Sequence, residues 1–289
     1  MLAEINPVLL KELRQRFRSG KAFWLLALYL LVIGAFILGF MYLNWRNSPG
    51  MFQPNRSREF FMLLSATQLF LLAFVTPGLT AGIISGEREK QTLNVLLTTR
   101  LTPWQIIWSK LASASAFMVL LVFATLPLYS IIFLYGGIAP EQVLGIFGFY
   151  LVTMYLFSCI GVFCSTVFKR TGASTITAYG LTFALCAGTG FLAAFLYEID
   201  HLRRLEEWTT AIWSPGLIPY TVEFLQNINP VFVFMRILGQ SGISSDVSFS
   251  ISYWTMPYWG VYTVFYFVAG TLLLYYSSRL LHPQRKRRK

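Results

Sequence analysis

The sequence predicts an all-α integral membrane protein: six transmembrane helices, an N-terminal amphipathic elbow helix, and re-entrant or interfacial helices between spans five and six. Three observations carry this. Of 289 residues, 56% are hydrophobic and 12% charged, about half the charged share of an ordinary soluble domain. The apolar residues are gathered in long runs, and at about 1.5 Å rise per residue some 20 of them cross an apolar layer of about 30 Å. The net charge of +11 resides in short loops and at both ends, beside the apolar runs, where lysine and arginine set topology and meet anionic lipid rather than nucleic acid.

Residues 1–22 form the first element. Asn6-Pro7 suits a helix opening, a capping side chain followed by proline at the first helical position. Leu9, Leu10, Leu13 and Phe17 then fall on one arc while Lys11, Arg14, Arg16 and Arg18 occupy the rest, the pattern of a helix lying at the lipid surface. The first apolar run starts only at Ala22 and is too long for the core of a cleaved signal.

The transmembrane domain, 23–281, contains spans at about Phe23–Leu43, Phe60–Ile84, Ile106–Tyr135, Val143–Phe168, Ser174–Tyr197 and Tyr253–Leu281. Pro77 and Pro127 fall inside the second and third, where each removes a backbone hydrogen bond and kinks the helix. The basic tail 282–289 follows the last span directly and reads as a cytoplasmic anchor. Cys159, Cys164 and Cys186 lie within spans with neither disulfide nor zinc spacing, and read as small packing residues.

Basic residues decide orientation. With a cytoplasmic N-terminus, one side carries 17 of the 23 Lys and Arg and the other carries six: Arg46, Arg56, Arg58, Arg203, Arg204 and Arg236. Both termini then face the cytoplasm and the number of crossings is even. The apolar stretch Ile212–Gly239 is therefore not a seventh span. It holds Pro215, Gly216, Pro219, Glu223, Gln226, Asn227, Asn229, Pro230 and Arg236, which across a bilayer would break the backbone ladder and bury charge. The segment 198–252 is expected on the outer side, with Trp213, Tyr220, Tyr253, Trp254, Tyr258 and Trp259 in its aromatic belt.

Catalytic chemistry finds no foothold. The chain has no phosphate-cradling glycine loop ending in Lys-Ser/Thr, no HExxH and no GxSxG, and its two histidines, His201 and His282, fall on opposite sides of the membrane. No metal site or catalytic residue is expected, and a membrane enzyme is disfavoured. Away from their ends the spans contain no Asp, Glu or Lys, which disfavours a proton- or ion-coupled carrier and makes a hydrophobic or amphipathic cargo more natural.

One polar feature stands out. Between spans two and three, Glu87, Arg88, Glu89 and Lys90 alternate in charge and lead into Thr92, Leu93, Val95, Leu96 and Leu97. This run is too short to cross, yet apolar on one side. A loop of this kind, 85–105 and closed by Pro103-Trp104, gives a soluble partner a handle on the flanking spans. Glu223, Gln226, Asn227 and Asn229 form a second polar group, a candidate outer gate.

The run Asn6-Pro7-Val8-Leu9-Leu10-Lys11-Glu12-Leu13-Arg14, the loop Ser85–Leu93, the sequence Leu101-Thr102-Pro103-Trp104 and the six-span plan together resemble the membrane subunit of a bacterial ABC transporter of the type-2 permease (exporter) family. The resemblance covers nearly the whole chain. It implies an elbow helix, here Leu9, Leu13, Arg14 and Phe17, and a coupling helix that docks on a separate ATPase, here Glu87, Arg88, Glu89, Thr92, Leu93 and Leu96. It also implies permeases that pair, identical or homologous, and ATP with Mg on two copies of the partner rather than on this chain. Gln91 stands where the family usually has glycine, and Asn94 where it often has an acid. The function expected is the permease of an ATP-driven exporter in the bacterial inner (cytoplasmic) membrane. The alternative is a permease-like immunity or sensing subunit that binds a peptide or antibiotic in the membrane without moving it across.

Overall fold

The computed structural model describes residues 12–14, 17–18, 20–47, 54–93, 102–134, 138–210, 218–239, 249–251 and 254–281. In chain order the elements are α1 (Gly20–Asn47), α2 (Pro54–Thr80), α3 (Ser85–Glu89), α4 (Pro103–Phe123), α5 (Leu126–Leu134), α6 (Pro140–Val167) and α7 (Thr171–Phe183). A π-helical turn at Ala184–Gly188 carries α7 into α8 (Thr189–Thr210), followed by α9 (Ile218–Ile228), α10 (Pro230–Ile237), the strands β1 (Phe249–Ile251) and β2 (Trp254–Met256), and α11 (Tyr258–Leu281). The two strands pair antiparallel with Ser250 opposite Thr255. This small ribbon was not legible in the sequence and leaves the all-helical class unchanged.

Six helical stretches among the described residues are long and apolar enough to cross a membrane: Ala22–Leu43, Arg58–Glu89, Pro103–Ser130, Pro140–Val167, Thr171–Arg203 and Tyr258–Leu281. The stretch Ile212–Gly239 does not add a seventh. Its described part holds α9 and α10, of 11 and 8 residues, or about 16 and 12 Å of helix, too short to span. The fifth helical run differs from expectation in length. It continues past Tyr197 to Thr210, because Glu198, Asp200, His201 and Arg203 extend a helix as readily as they would a loop once a polar environment receives them.

The chain forms two compact units, one built from residues up to Tyr179 plus those from Gly270 onward, the other from Gly180–Ala269. In the first, α2 runs along α6, and both pack on α4. The approach of α2 and α6 is close at Gly161, where a Cβ would sit 2.8 Å from Thr80 Cβ. Ile33, Phe61, Leu64, Ile106, Ile107, Ile146 and Phe157 are buried there. Two tyrosine hydroxyls inside this apolar packing find partners: Tyr150 donates to the Ser65 carbonyl at 2.7 Å, and the Tyr129 hydroxyl lies 3.2 Å from Ser65 Oγ and 3.4 Å from the Tyr150 hydroxyl.

Pro127 acts as expected. The third span breaks at Ala124–Thr125, between α4 and α5, and Thr125 Oγ1 donates to the Val122 carbonyl at 2.7 Å, occupying an acceptor at the break. Pro77 lies inside α2. Cys159 and Cys164 are buried, Cys186 is half-buried, and all three are free thiols. In the second unit α8 packs on α9, and α9 on α10.

Candidate functional site

The second span ends in a turn, Ala81–Ile84, before α3 begins. A non-helical turn at this depth needs partners for its backbone. Two serines provide them. Ser165 Oγ, on α6, accepts from the amides of Ile84 and Ser85 at 2.8 and 2.9 Å, and Ser174 Oγ, on α7, donates to the Ala81 carbonyl at 2.7 Å.

Three of the charges that follow, Glu87, Arg88 and Glu89, each bond to a different element. Lys110, on α4, donates to Glu87 Oε1 at 2.5 Å and to Glu12 Oε1 at 2.6 Å, its own side chain only 4% exposed. Ser113 Oγ donates to Glu12 Oε2 at 3.0 Å. One ammonium thus joins the N-terminal segment, the loop and the third span, while the second oxygen of Glu87 is buried without a hydrogen-bond partner. Arg88 donates through Nη1 to the Phe168 carbonyl at 3.2 Å and through Nη2 to Thr166 at 3.1 Å. These carbonyls belong to the end of α6, where a cation is favoured. Glu89 accepts from the Thr171 amide at 2.7 Å and the Thr171 hydroxyl at 2.9 Å, capping the first turn of α7.

The turn leaving α3 explains the residue at position 91. The amides of Thr92 and Gln91 donate to the carbonyls of Glu87 and Arg88 at 2.9 and 3.1 Å, the paired bonds of a Schellman ending, which places Gln91 at φ 58°. That left-handed conformation is the one glycine adopts without strain. Glu89, Lys90, Gln91 and Thr92 are exposed, Glu87 and Arg88 half-buried, and Leu93 is buried. Leu96, Val95, Leu97 and Asn94 lie outside the described residues. Thr102 and Pro103 then open α4 with a capping box: Thr102 Oγ1 accepts from the Gln105 amide, and Gln105 Oε1 from the Thr102 amide. Exposed Trp104 and Trp108 stack at 6.3 Å on its first turns.

Of the elbow residues, Leu13 is half-buried, Arg14 and Phe17 are exposed, and the Phe17 ring meets Phe117 edge-on at 6.0 Å; Leu9 and Asn6-Pro7 lie outside the described residues. His282 lies outside them too.

The four residues of the candidate outer gate do not form one cluster. Asn229 caps α10, its Oδ1 accepting from the Val231 amide at 2.8 Å and its Nδ2 donating to the Cys186 carbonyl, within the π-helical turn, at 2.6 Å. Gln226 and Asn227 instead accept from Arg236: Nη2 reaches Gln226 Oε1 at 3.1 Å and Nη1 reaches Asn227 Oδ1. The Arg236 guanidinium lies 5.9 Å from the Tyr258 ring centre, within cation–π range. Burial pulls its pKa down, and burial raises that of Glu223 while the nearby guanidinium opposes the rise.

Sequence reasoning named Glu12, Glu87, Arg88 and Glu89, noted Arg236 only as a charge that argues against a span at Ile212–Gly239, and passed over Lys110, Ser165 and Ser174. A lysine seven residues into an apolar helix, and an arginine set between Met235 and Ile237 in an apolar run, were the available signals.

Six apolar helices of membrane-crossing length among the described residues, the second ending in a turn whose backbone two serines satisfy, define a multi-pass membrane protein. Residues 7–279 match the ABC-2 family transporter protein description, and the chain belongs to that family. It is the permease component of a transporter, with membrane transport rather than catalysis as its role. A search of curated proteins gave no match.

Proposed function

We propose that the chain is the permease subunit of an ATP-driven exporter, forming the transmembrane pathway with a second permease, identical or homologous, and coupled to two copies of a separate ATPase through residues 85–105. The observation that carries this reading is the bracing of the loop. Glu87, Arg88 and Glu89 attach it to α4, to the end of α6 and to the start of α7. A load on its exposed face, Lys90 to Thr92, is therefore delivered to three spans at once, as a push on a rigid lever requires. The acidic residues serve as braces on this reading, and the neighbouring exposed residues meet the partner. ATP and Mg reside on the ATPase.

The same geometry supports the orientation. The Glu12 segment, the loop and the 168–171 connection are bonded together at one end, the side to which the sequence pattern assigns 17 of the 23 basic residues, and on this reading it faces the cytoplasm of a bacterial cell. The segment 198–252 then faces outward, where Glu223, Gln226 and Asn227 line an outer gate and Asn229 holds its helix in place.

Two measurements test this. A cysteine at Lys90 is expected to cross-link to the co-expressed ATPase and to resist labelling from outside intact cells, whereas cysteines near Arg56 or Arg204 are labelled from outside. Outside labelling at Lys90, or ATPase cross-links that form only from the Arg204 side, would overturn the coupling role and the orientation together.

A further inference from the structure

Among the described residues, six buried side-chain nitrogen or oxygen atoms lack a hydrogen-bond partner, and three of them belong to one cluster: Arg236 Nε, Asn227 Nδ2 and Glu223 Oε1. A buried polar atom left unpaired is costly, and such atoms mark sites that something else completes. Here the deficit has a definite chemistry. Two atoms are N–H donors, one attached to a cation, and the third is a carboxylate oxygen. Glu223 and Asn227 are four residues apart on α9 and share a face. Arg236 reaches that face from α10, already held by Asn227 Oδ1 and Gln226 Oε1.

Arg236 and Glu223 feel one another's charge, yet they make no ion pair. Both partners for a salt bridge are present and a gap separates them. Asn227 and Arg236 are themselves more than nine-tenths buried, at 0% and 7% exposure. Glu223 is half-buried, the most exposed of the three residues although its Oε1 is itself enclosed, so a ligand reaches the cluster by displacing that side chain. On the same helix Tyr220 and Phe224 are exposed, an aromatic surface beside the polar group of the kind that lies along acyl chains at a membrane surface.

We infer that this gap binds the headgroup of a zwitterionic phospholipid carrying a primary ammonium. Its phosphate accepts from Arg236 Nε and Asn227 Nδ2, its ammonium donates to Glu223 Oε1, and its acyl chains run over Tyr220 and Phe224. The complement is specific. A phosphate alone leaves Glu223 unpaired beside a second anion. A quaternary ammonium neutralises charge but donates no N–H. The inference concerns this cluster only and does not depend on the direction of transport or on the ATPase.

Native mass spectrometry of the purified full-length chain, titrated in detergent with phosphatidylethanolamine, phosphatidylcholine and phosphatidylglycerol, reads the preference directly. Retention of phosphatidylethanolamine about tenfold above the other two is expected. Glu223→Gln brings it down to the phosphatidylcholine level while leaving phosphatidylcholine unchanged. Arg236→Gln lowers all three by about tenfold, with partial recovery in Arg236→Lys. Soluble phosphoethanolamine, lacking acyl chains, leaves no adduct. Equal retention of the three lipids by the wild type and by Glu223→Gln would mean that the gap holds water alone. Retention of phosphoethanolamine without lipid preference would overturn the lipid assignment. Should Arg236→Gln fail to fold, the headgroup series on the wild type and on Glu223→Gln decides the matter.

Discussion

Two buried cations, each among polar groups in an apolar chain, have met opposite fates. Lys110 is held by two carboxylates, Glu12 at 2.6 Å and Glu87 at 2.5 Å. Arg236 is held by two neutral amides and an aromatic ring, while Glu223, close enough to shift its ionisation, stays unpaired. The first arrangement has an excess of negative charge and little freedom, and it fastens three chain segments. The second has spare donors and a spare acceptor. A cation that is fully countered serves as a mechanical joint, and one that is under-countered remains available to a ligand. On the two proposed readings, the difference separates a transmitting element from a binding element within one polypeptide.

The sharpest way to break the comparison is to remove each cation in turn. Lys110→Met leaves two carboxylates facing one another in a mostly buried site, and it is expected to destabilise the protein by about 3 kcal/mol, as loss of one partner of a buried pair does. Thermal unfolding in detergent checks this, and a double-mutant cycle with Glu87→Gln should recover part of the loss because the two sites share one interaction. A cost near zero would mean that the joint bears no strain. The joint also depends on the packing behind it. Gly161→Val forces a side chain against Thr80, at the base of the loop, with an expected cost of about 1–3 kcal/mol by the same assay.

Arg236→Met should cost less, about 1–2 kcal/mol: it takes the donor from two neutral amide oxygens and the opposing charge from Glu223, but it breaks no ion pair and removes an unpaired Nε. A loss as large as that of Lys110→Met would erase the distinction. The smallest effect is a gain. Gln91 occupies a left-handed position, so Gln91→Gly is expected to stabilise the loop by about 0.5 kcal/mol, relief of backbone strain exceeding the added chain entropy. Slower amide exchange at Thr92, whose N–H closes the turn on Glu87, is the local measurement.

Much of the fold was legible because its cause is local. Runs such as Phe60–Ile84 and Val143–Phe168 announce spans through length and composition, and Pro215, Pro219 and Pro230 announce that Ile212–Gly239 is not one. The site was legible in part. The charges at Glu87 to Lys90 were visible as a group, and the glycine that the resemblance puts at position 91 is explained by a helix ending that six residues, Glu87 to Thr92, define. Their orientation was not visible. They read as a solvated handle, whereas two of them turn inward and Glu89 is held at the surface, because what each meets lies far along the chain: Glu87 meets a lysine 23 residues on, and Arg88 and Glu89 reach positions about 80 residues away. The candidate gate was likewise read as one cluster from its proximity in sequence, and helix geometry sends Asn229 to the π-helical turn and Asn227 to Arg236.

By itself the sequence determined what the solvent dictates: which segments enter lipid, which stay out of it, and how many times the chain crosses, since each depends on the transfer free energy of a contiguous stretch. The tertiary structure decided which charge meets which. Pairing in a low-dielectric setting is fixed by a few ångströms of separation between helices, and those distances are set by close contacts such as Gly161 against Thr80, which no local pattern encodes.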